Sequence, residues 1–199
     1  MKPHSDFARG GAAVEFLLCL PLLILLAFPA VDLARVLQAN AVLVAMAREG
    51  ASLASRTRMD EQTVMTALAA TAPPLDMRSN GSIRITRILA SRSGGIVRNV
   101  VIGQHRWVHG ADYAFTSRKG VWSCGAAGTA WRADGSCGGL QAPASAPEVD
   151  LLRGKLDEGD MVYLVETFYK FPLLFGAMRL GTAIVTPDID PELYAMTVF

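Results

Sequence analysis

The chain has almost no surplus of charge. Its 19 Lys and Arg stand against 18 Asp and Glu, leaving +1 over 199 residues. A balance this even excludes the strong positive field that draws in nucleic acid. Histidine is also scarce, with three residues, and so is cysteine, again with three. No C-x-x-C pair or neighbouring histidine supplies a zinc-type ligand set, so no metal site is expected. Patterns that carry catalysis are missing too. There is no G-x-S-x-G, no H-E-x-x-H, no phosphate-binding P-loop and no acidic pair with a catalytic look. The sequence therefore points away from an enzyme, and it calls for no cofactor. The length suits one ordinary domain plus an anchor.

What the chain does have is a long apolar run. Its mean hydropathy is +0.30, and the cause is local. From Phe16 to Val31 no residue is charged. Counting back to Gly11 gives about the 20 residues that cross a bilayer at about 1.5 Å each, with Glu15 as the sole charge. Lys2 and Arg9 precede the run against Asp6, and Asp32 and Arg35 cancel after it. The positive-inside bias then puts the N-terminus in the cytoplasm and the bulk of the chain on the far side. A cleaved secretory signal is the competing reading. It needs a short apolar core and a small-x-small site, and residues 27–30 (Ala-Phe-Pro-Ala) offer a poor one. Helix-forming sequence also runs straight on, which favours a retained anchor.

The run continues as an amphipathic helix to about Arg56. At a period of 3.6, Val36, Leu43, Met46, Ala47, Gly50, Ala51 and Ala54 share one arc, while Gln38, Arg48, Glu49, Ser52 and Arg56 share the other. Asp32 and Asn40 fall on the apolar arc against the pattern. A second helix is predicted from Asp60 to Ala72, capped by Asp60 and stopped by Pro73-Pro74. The pattern then turns to strands: Ser82 to Leu89 and Ile96 to Ile102 as a hairpin across Ser93-Gly94-Gly95, and Met161 to Phe171. A last strand spans Leu193 to Phe199, and a shorter one Ala183 to Thr186. Asn80-Gly81-Ser82 fits the glycosylation pattern but reads as a turn. Residues 110–160 form a long loop rich in Gly, Ala, Ser and Pro, the kind that has a function or is partly disordered. The expected fold is α+β. A long N-terminal transmembrane and amphipathic helix and a short second helix accompany an antiparallel sheet of about four strands packed on the long helix.

Glu15 is the most informative residue. A carboxylate within a hydrocarbon span costs several kcal/mol, on the order of 3 by insertion scales, unless it is neutralised or paired. It either sits shallow enough to reach the headgroups or meets a partner charge inside the membrane. The segment Arg9-Gly10-Gly11-Ala12-Ala13-Val14-Glu15-Phe16, with Leu-rich sequence and Pro21 after it, resembles the start of TadE-like proteins. These are pseudopilins of the tight-adherence (Flp-type) pilus system. Asp32-Leu33-Ala34-Arg35 and Ala47-Arg48-Glu49-Gly50-Ala51 resemble two later steps of that family. The likeness covers about residues 9–56, and Cys19 and Pro29 depart from it.

The resemblance implies a pilin-like subunit processed by a membrane prepilin peptidase. The cut would fall between Gly10 and Gly11, leaving Glu15 as the fifth residue and Phe16 after it. A glycine before the bond lets the backbone lie extended in a protease cleft. The new amine on Gly11 would pair with the Glu15 of a neighbouring subunit, offsetting the desolvation of both charges. On this reading residues 1–10 are a cytoplasmic leader, 11–56 the anchor and its helical extension, and 57–199 a periplasmic α+β domain. The protein would sit as a single pass in the inner membrane, or in a surface pilus. Its partners would be other pilins or pseudopilins, the Tad assembly platform and the peptidase. An envelope-anchored binding module that never enters a filament is the alternative.

Cys124 and Cys137 lie on the oxidising side and are expected to form a disulfide. It would close a loop of about 14 residues and contribute up to about 3 kcal/mol. Cys19 reads as a small buried or lipid-facing residue. His105 and His109 are four apart, but on a strand running into a loop they lie about 13 Å from one another, which speaks against a metal. Trp107, Trp122 and Trp131 either form a sticky surface or cover a small core, and the second is the commoner use of such residues.

Overall fold

A computed structural model of the chain describes residues 8–57, 59–111, 120–125, 128–174, 179–180, 183–184 and 191–199. Its first element, α1, runs Ala8–Arg56 without interruption. Leucine and alanine dominate it, and both are strong helix formers. Pro21 and Pro29 lie inside it and each removes one N–H from the ladder. The helix ends where Thr57 N–H and Oγ1 both turn back onto the Leu53 carbonyl. Arg56 sits in the last turn, the favourable place for a cation.

The chain divides into two compact units, Met1–Gln38 with Pro172–Ile189, and Ala39–Phe171 with Asp190–Phe199. In the first, α1 exposes a nearly continuous apolar surface: Val14, Phe16, Leu17, Leu18, residues 22–26, Val31, Leu33 and Leu37 are all exposed. Asp32 is the exception, buried at 7% exposure. Its carboxylate accepts the Leu174 N–H at 3.1 Å and faces Arg35 at 3.3 Å. That accounts for one of the two polar residues that broke the helical pattern. A short hairpin pairs β6 (Arg179–Leu180) with β7 (Ala183–Ile184), the numbering following chain order. The short strand expected over 183–186 is therefore seen at Ala183–Ile184 alone; Val185 and Thr186 lie outside the described residues.

The second unit is built on a four-stranded antiparallel sheet. Its members are β1 (Gly81–Ser93), β2 (Ile96–Arg106), β5 (Met161–Lys170) and β8 (Glu192–Val198), in the order β2-β1-β5-β8. The hairpin turns at Gly94-Gly95, where φ is 60° and 84°, the sign that a two-residue hairpin turn demands. β1 and β2 run farther than their β-branched cores. Ala90 pairs with Asn99 and Arg84 with Arg106, and a register shift lies between Arg87 and Ile88.

One sheet face packs on helices. Ala39, Leu43, Met46, Ala47, Gly50, Ala51 and Ala54 of α1 are buried there, close to the arc read from the 3.6 period, whereas Val36 is only half-buried. Asn40 is exposed, so it does not belong to the buried arc and needs no partner. Buried Thr167 of β5 ties the layers by donating to the Leu43 carbonyl at 3.2 Å. The second helix, α2 (Glu61–Ala70), adds Val64, Met65 and Leu68. Asp60 caps it by accepting the Gln62 N–H at 3.0 Å. It stops two residues earlier than expected because the chain must leave α space before Pro73. Asp76 then caps a single turn, α3 (Met77–Asn80), which passes directly into β1 at Gly81. The Asn80-Gly81-Ser82 step is thus a helix-to-strand junction.

The opposite face is covered by the long segment read from sequence as a loop. Within its described residues lie a small ladder, β3 (Ala130–Trp131) with β4 (Cys137–Gly138), and a 3-10 turn, Pro143–Ser145. Val149 joins Ile88, Val101 and Leu164 in a buried cluster that Trp122, Leu140 and Val198 cover. The segment also guards the outer edge of β2, where Val101 N–H donates to Pro147 and Arg106 N–H to Gly135. β5 is therefore covered on both faces, and residues 164–169 are all buried.

Candidate functional site

The N-terminal part of α1 is the first candidate. It is one helix, long and apolar enough to cross a membrane, and its most apolar stretch is not buried among the described residues. Gly10 and Gly11 are helical, and Glu15 and Phe16 follow on the same helix, both exposed. A helix apolar all round and uncovered is suited to lipid or to other apolar helices. Glu15 is the only ionisable side chain from Ala13 to Val31 apart from Cys19, which is exposed.

The second candidate is the polar seam under the covering segment. Gln104 of β2 is 1% exposed, yet both its polar atoms are hydrogen-bonded. Its Oε1 accepts the Cys124 N–H at 2.9 Å, and its Nε2 donates to the Trp122 carbonyl and to Thr86 Oγ1, both at 2.9 Å. Glu166 of β5 is fully buried on the same face. Its Oε1 accepts from Val121 N–H at 2.8 Å and from Tyr194 Oη–H at 2.7 Å. Burial pushes the Glu166 carboxyl above the ordinary glutamate range, against the lowering effects of those two bonds and of Arg84. Cys124 and Cys137 are joined, with Cα atoms 5.8 Å apart. The covering segment is thus attached to the sheet by an amide and a carboxyl, and the Cys124–Cys137 bridge ties two of its own stretches together.

The other residues singled out from sequence do not converge. His105 lies on β2 opposite Ile85, with Nε2 3.7 Å from Glu61. His109 sits edge-on to Trp107, ring centres 6.1 Å apart. Among the described residues no group of His, Cys, Asp or Glu could hold a metal ion. The three tryptophans are not gathered on one surface: Trp107 and Trp131 line a common pocket, and Trp122 packs elsewhere. Trp107 is 4% exposed and donates Nε1–H to Thr66 of α2 at 3.1 Å. Trp122 packs on the Val101 cluster, and Trp131 lies under the Arg106 guanidinium at 5.1 Å.

Sequence reasoning missed Gln104 and Glu166. Glu166 left a trace: it is the one acidic residue in the strand, set between Leu164 and Phe168 on one side of the alternation. An acidic residue at the centre of the best strand signals that something must reach it.

These features define a class: an α+β protein with one long apolar N-terminal helix, a short second helix and a four-stranded antiparallel sheet. The family model of TadE-like proteins matches residues 10–52, which takes in the apolar run and most of the amphipathic extension. The match is consistent with a TadE-like protein of the Tad pilus system, and so with a membrane-associated, structural setting. Neither the curated proteins nor the solved structures contain a match to this chain.

Proposed function

We propose that this protein is a minor pseudopilin that takes part in assembling a Tad/Flp-type pilus by subunit contacts rather than catalysis. The observation that carries the reading is the coincidence, within residues 10–52, of the TadE-like match and an uncovered apolar helix with one carboxylate near its start. In this reading the inner membrane holds the helix as a single pass, with residues 1–10 as a cytoplasmic leader and 57–199 in the periplasm. Prepilin peptidase cuts between Gly10 and Gly11, and Phe16 follows Glu15 at the start of the mature span. The Gly11 amine of one subunit then pairs with the Glu15 of its neighbour. Both charges leave water, so each is stable in the apolar layer only with the other present. The Cys124–Cys137 bond forms on the oxidising side and fastens the covering segment. The partners are other pilins and the membrane assembly platform.

Two measurements test this. Mass spectrometry of the mature chain should find Gly11 at the N-terminus; a chain still starting at Met1 in cells with active peptidase removes the processing step. Glu15→Ala should be inserted and processed at normal level but fail to recover partner pilins or to support pili. Normal pili from that variant remove the pairing role.

A further inference from the structure

Glu166 does more than satisfy hydrogen bonds. Its side chain is 0% exposed, and among the described residues its Oε2 has no hydrogen-bond partner. The wall above it is backbone. A Cβ built on Gly120 would lie 2.5 Å from Oε1 and 2.9 Å from Oε2, so the chain at Gly120 rests directly on the carboxyl. The other walls are paired strands. In register, Glu166 stands opposite Arg84 on β1 and Met196 on β8. Among the described residues the ionisable groups on this face near it are three. Arg84 stacks on Phe168 at 4.8 Å, Arg106 is its register partner on β2, and the Tyr194 hydroxyl is on β8. Residues 120–124 bring no ionisable side chain except Cys124, which is bridged.

The attachments of this stretch differ in kind. Trp122 and Cys124 are held by the Gln104 amide, which does not titrate, and Cys124 is also bonded to Cys137. Val121 is held by the carboxyl of Glu166.

We propose that Glu166 is a proton-operated latch: as the neutral acid it keeps Gly120 and Val121 closed on the sheet, and on ionising it releases that end to water while Gln104 and the disulfide keep Trp122 and Cys124 seated. The physical reason is the direction in which water can come. A buried carboxylate with one unpartnered oxygen gains solvation by hydration. The strands around it cannot part without breaking ladder bonds, whereas lifting Gly120 and Val121 breaks, among the described residues, one hydrogen bond and the packing of Val121 on the Val101 cluster. Burial is the largest influence on the carboxyl and favours the neutral form in the closed state. Opening restores the ordinary value near 4.5. The closed form therefore binds the proton more tightly, and opening is promoted as pH rises. The opening constant climbs from the ordinary value to the raised closed-state value, approaching about tenfold per pH unit for one proton, and is level above it.

Amide hydrogen exchange on the full chain in lipid nanodiscs, from about pH 4 to about pH 8 and divided by the intrinsic rates, reads this directly. The Val121 amide should show the climb and the plateau, and the Cys124 amide should stay flat. Glu166→Gln should abolish the climb. Tyr194→Phe removes a donor that favours the charged form, so it should move the plateau to higher pH. A flat Val121 profile overturns the latch, as does an equal climb in Glu166→Gln. An equal climb at Cys124 also overturns it, because the domain would then be opening as a whole. Should Glu166→Gln fail to fold, the Tyr194→Phe plateau decides, and an unmoved plateau rejects the proposal.

Discussion

Gly50 of α1 and Leu68 of α2 touch so closely that a Cβ on Gly50 would lie 2.6 Å from the Leu68 Cδ1 and 3.1 Å from the Val165 Cγ1 of β5. Two helices and the sheet meet at this point because one of them has no side chain. Leu68 is 1% exposed. Gly50→Val should destabilise the domain by about 2–3 kcal/mol through overpacking. Gly50→Ala should cost less, because about 1 kcal/mol of helix propensity offsets the crowding. Denaturant unfolding of the full chain followed by tryptophan fluorescence checks both. A Val variant as stable as the wild type contradicts the packing account.

Gln104→Leu keeps volume but removes the amide that serves Cys124 and Trp122. It takes the Gln104 partner from a buried N–H, a carbonyl and the buried Thr86 hydroxyl, at about 1–3 kcal/mol for each group left unpaired. The expected result is a loss of about 3 kcal/mol and earlier proteolytic cleavage within 120–125. Unchanged proteolysis would show that the covering segment does not depend on this amide.

Breaking the Cys124–Cys137 bond by paired serine substitution should lower stability by up to about 3 kcal/mol. Reductant should lower the unfolding midpoint of the wild type and leave that of the serine pair unmoved. Free-thiol labelling of both cysteines in denatured, unreduced protein would contradict the bond.

Stability should respond to acid with opposite signs at different carboxyls. Burial raises the folded-state value of Glu166, so the native state holds that proton more tightly than the unfolded chain. Its contribution to stability is greatest below the ordinary value near 4.5 and is lost as pH rises through the raised value. Asp76 and Asp134 are held below their ordinary 3.8, chiefly by hydrogen bonds from the Ser79 and Ser136 side chains. Their contributions are present above 3.8 and are lost as pH falls through the lowered values. Comparing unfolding midpoints of wild type and Glu166→Gln across pH isolates the first term. The wild type should gain on the variant as pH falls toward 4.5, and a constant difference would remove the effect.

Much of this protein could be read in one dimension. The apolar run from Phe16 to Val31 declares its helix because length and the absence of charge need no tertiary partner to be recognised. The buried arc of Leu43, Met46, Ala47, Gly50, Ala51 and Ala54 followed from the 3.6 period. The caps did too: the Asp60 cap and the Gly94-Gly95 turn are local chemistry, complete within a few residues. The sites were less legible. Asp32 broke the helical pattern, and only the fold supplied the Leu174 N–H that it serves, 142 residues away. Glu166 leaves only its trace as the acidic residue of an apolar strand and Gln104 none; their partners appear when a Gly-rich segment with no periodicity lies on the sheet and presents the N–H groups of Cys124 and Val121 to them. Local pattern determines which residues form helices and strands, because those bonds close within a turn or a pleat. Which buried polar groups meet is decided by tertiary structure alone, because a donor and acceptor far apart in sequence leave no period to read.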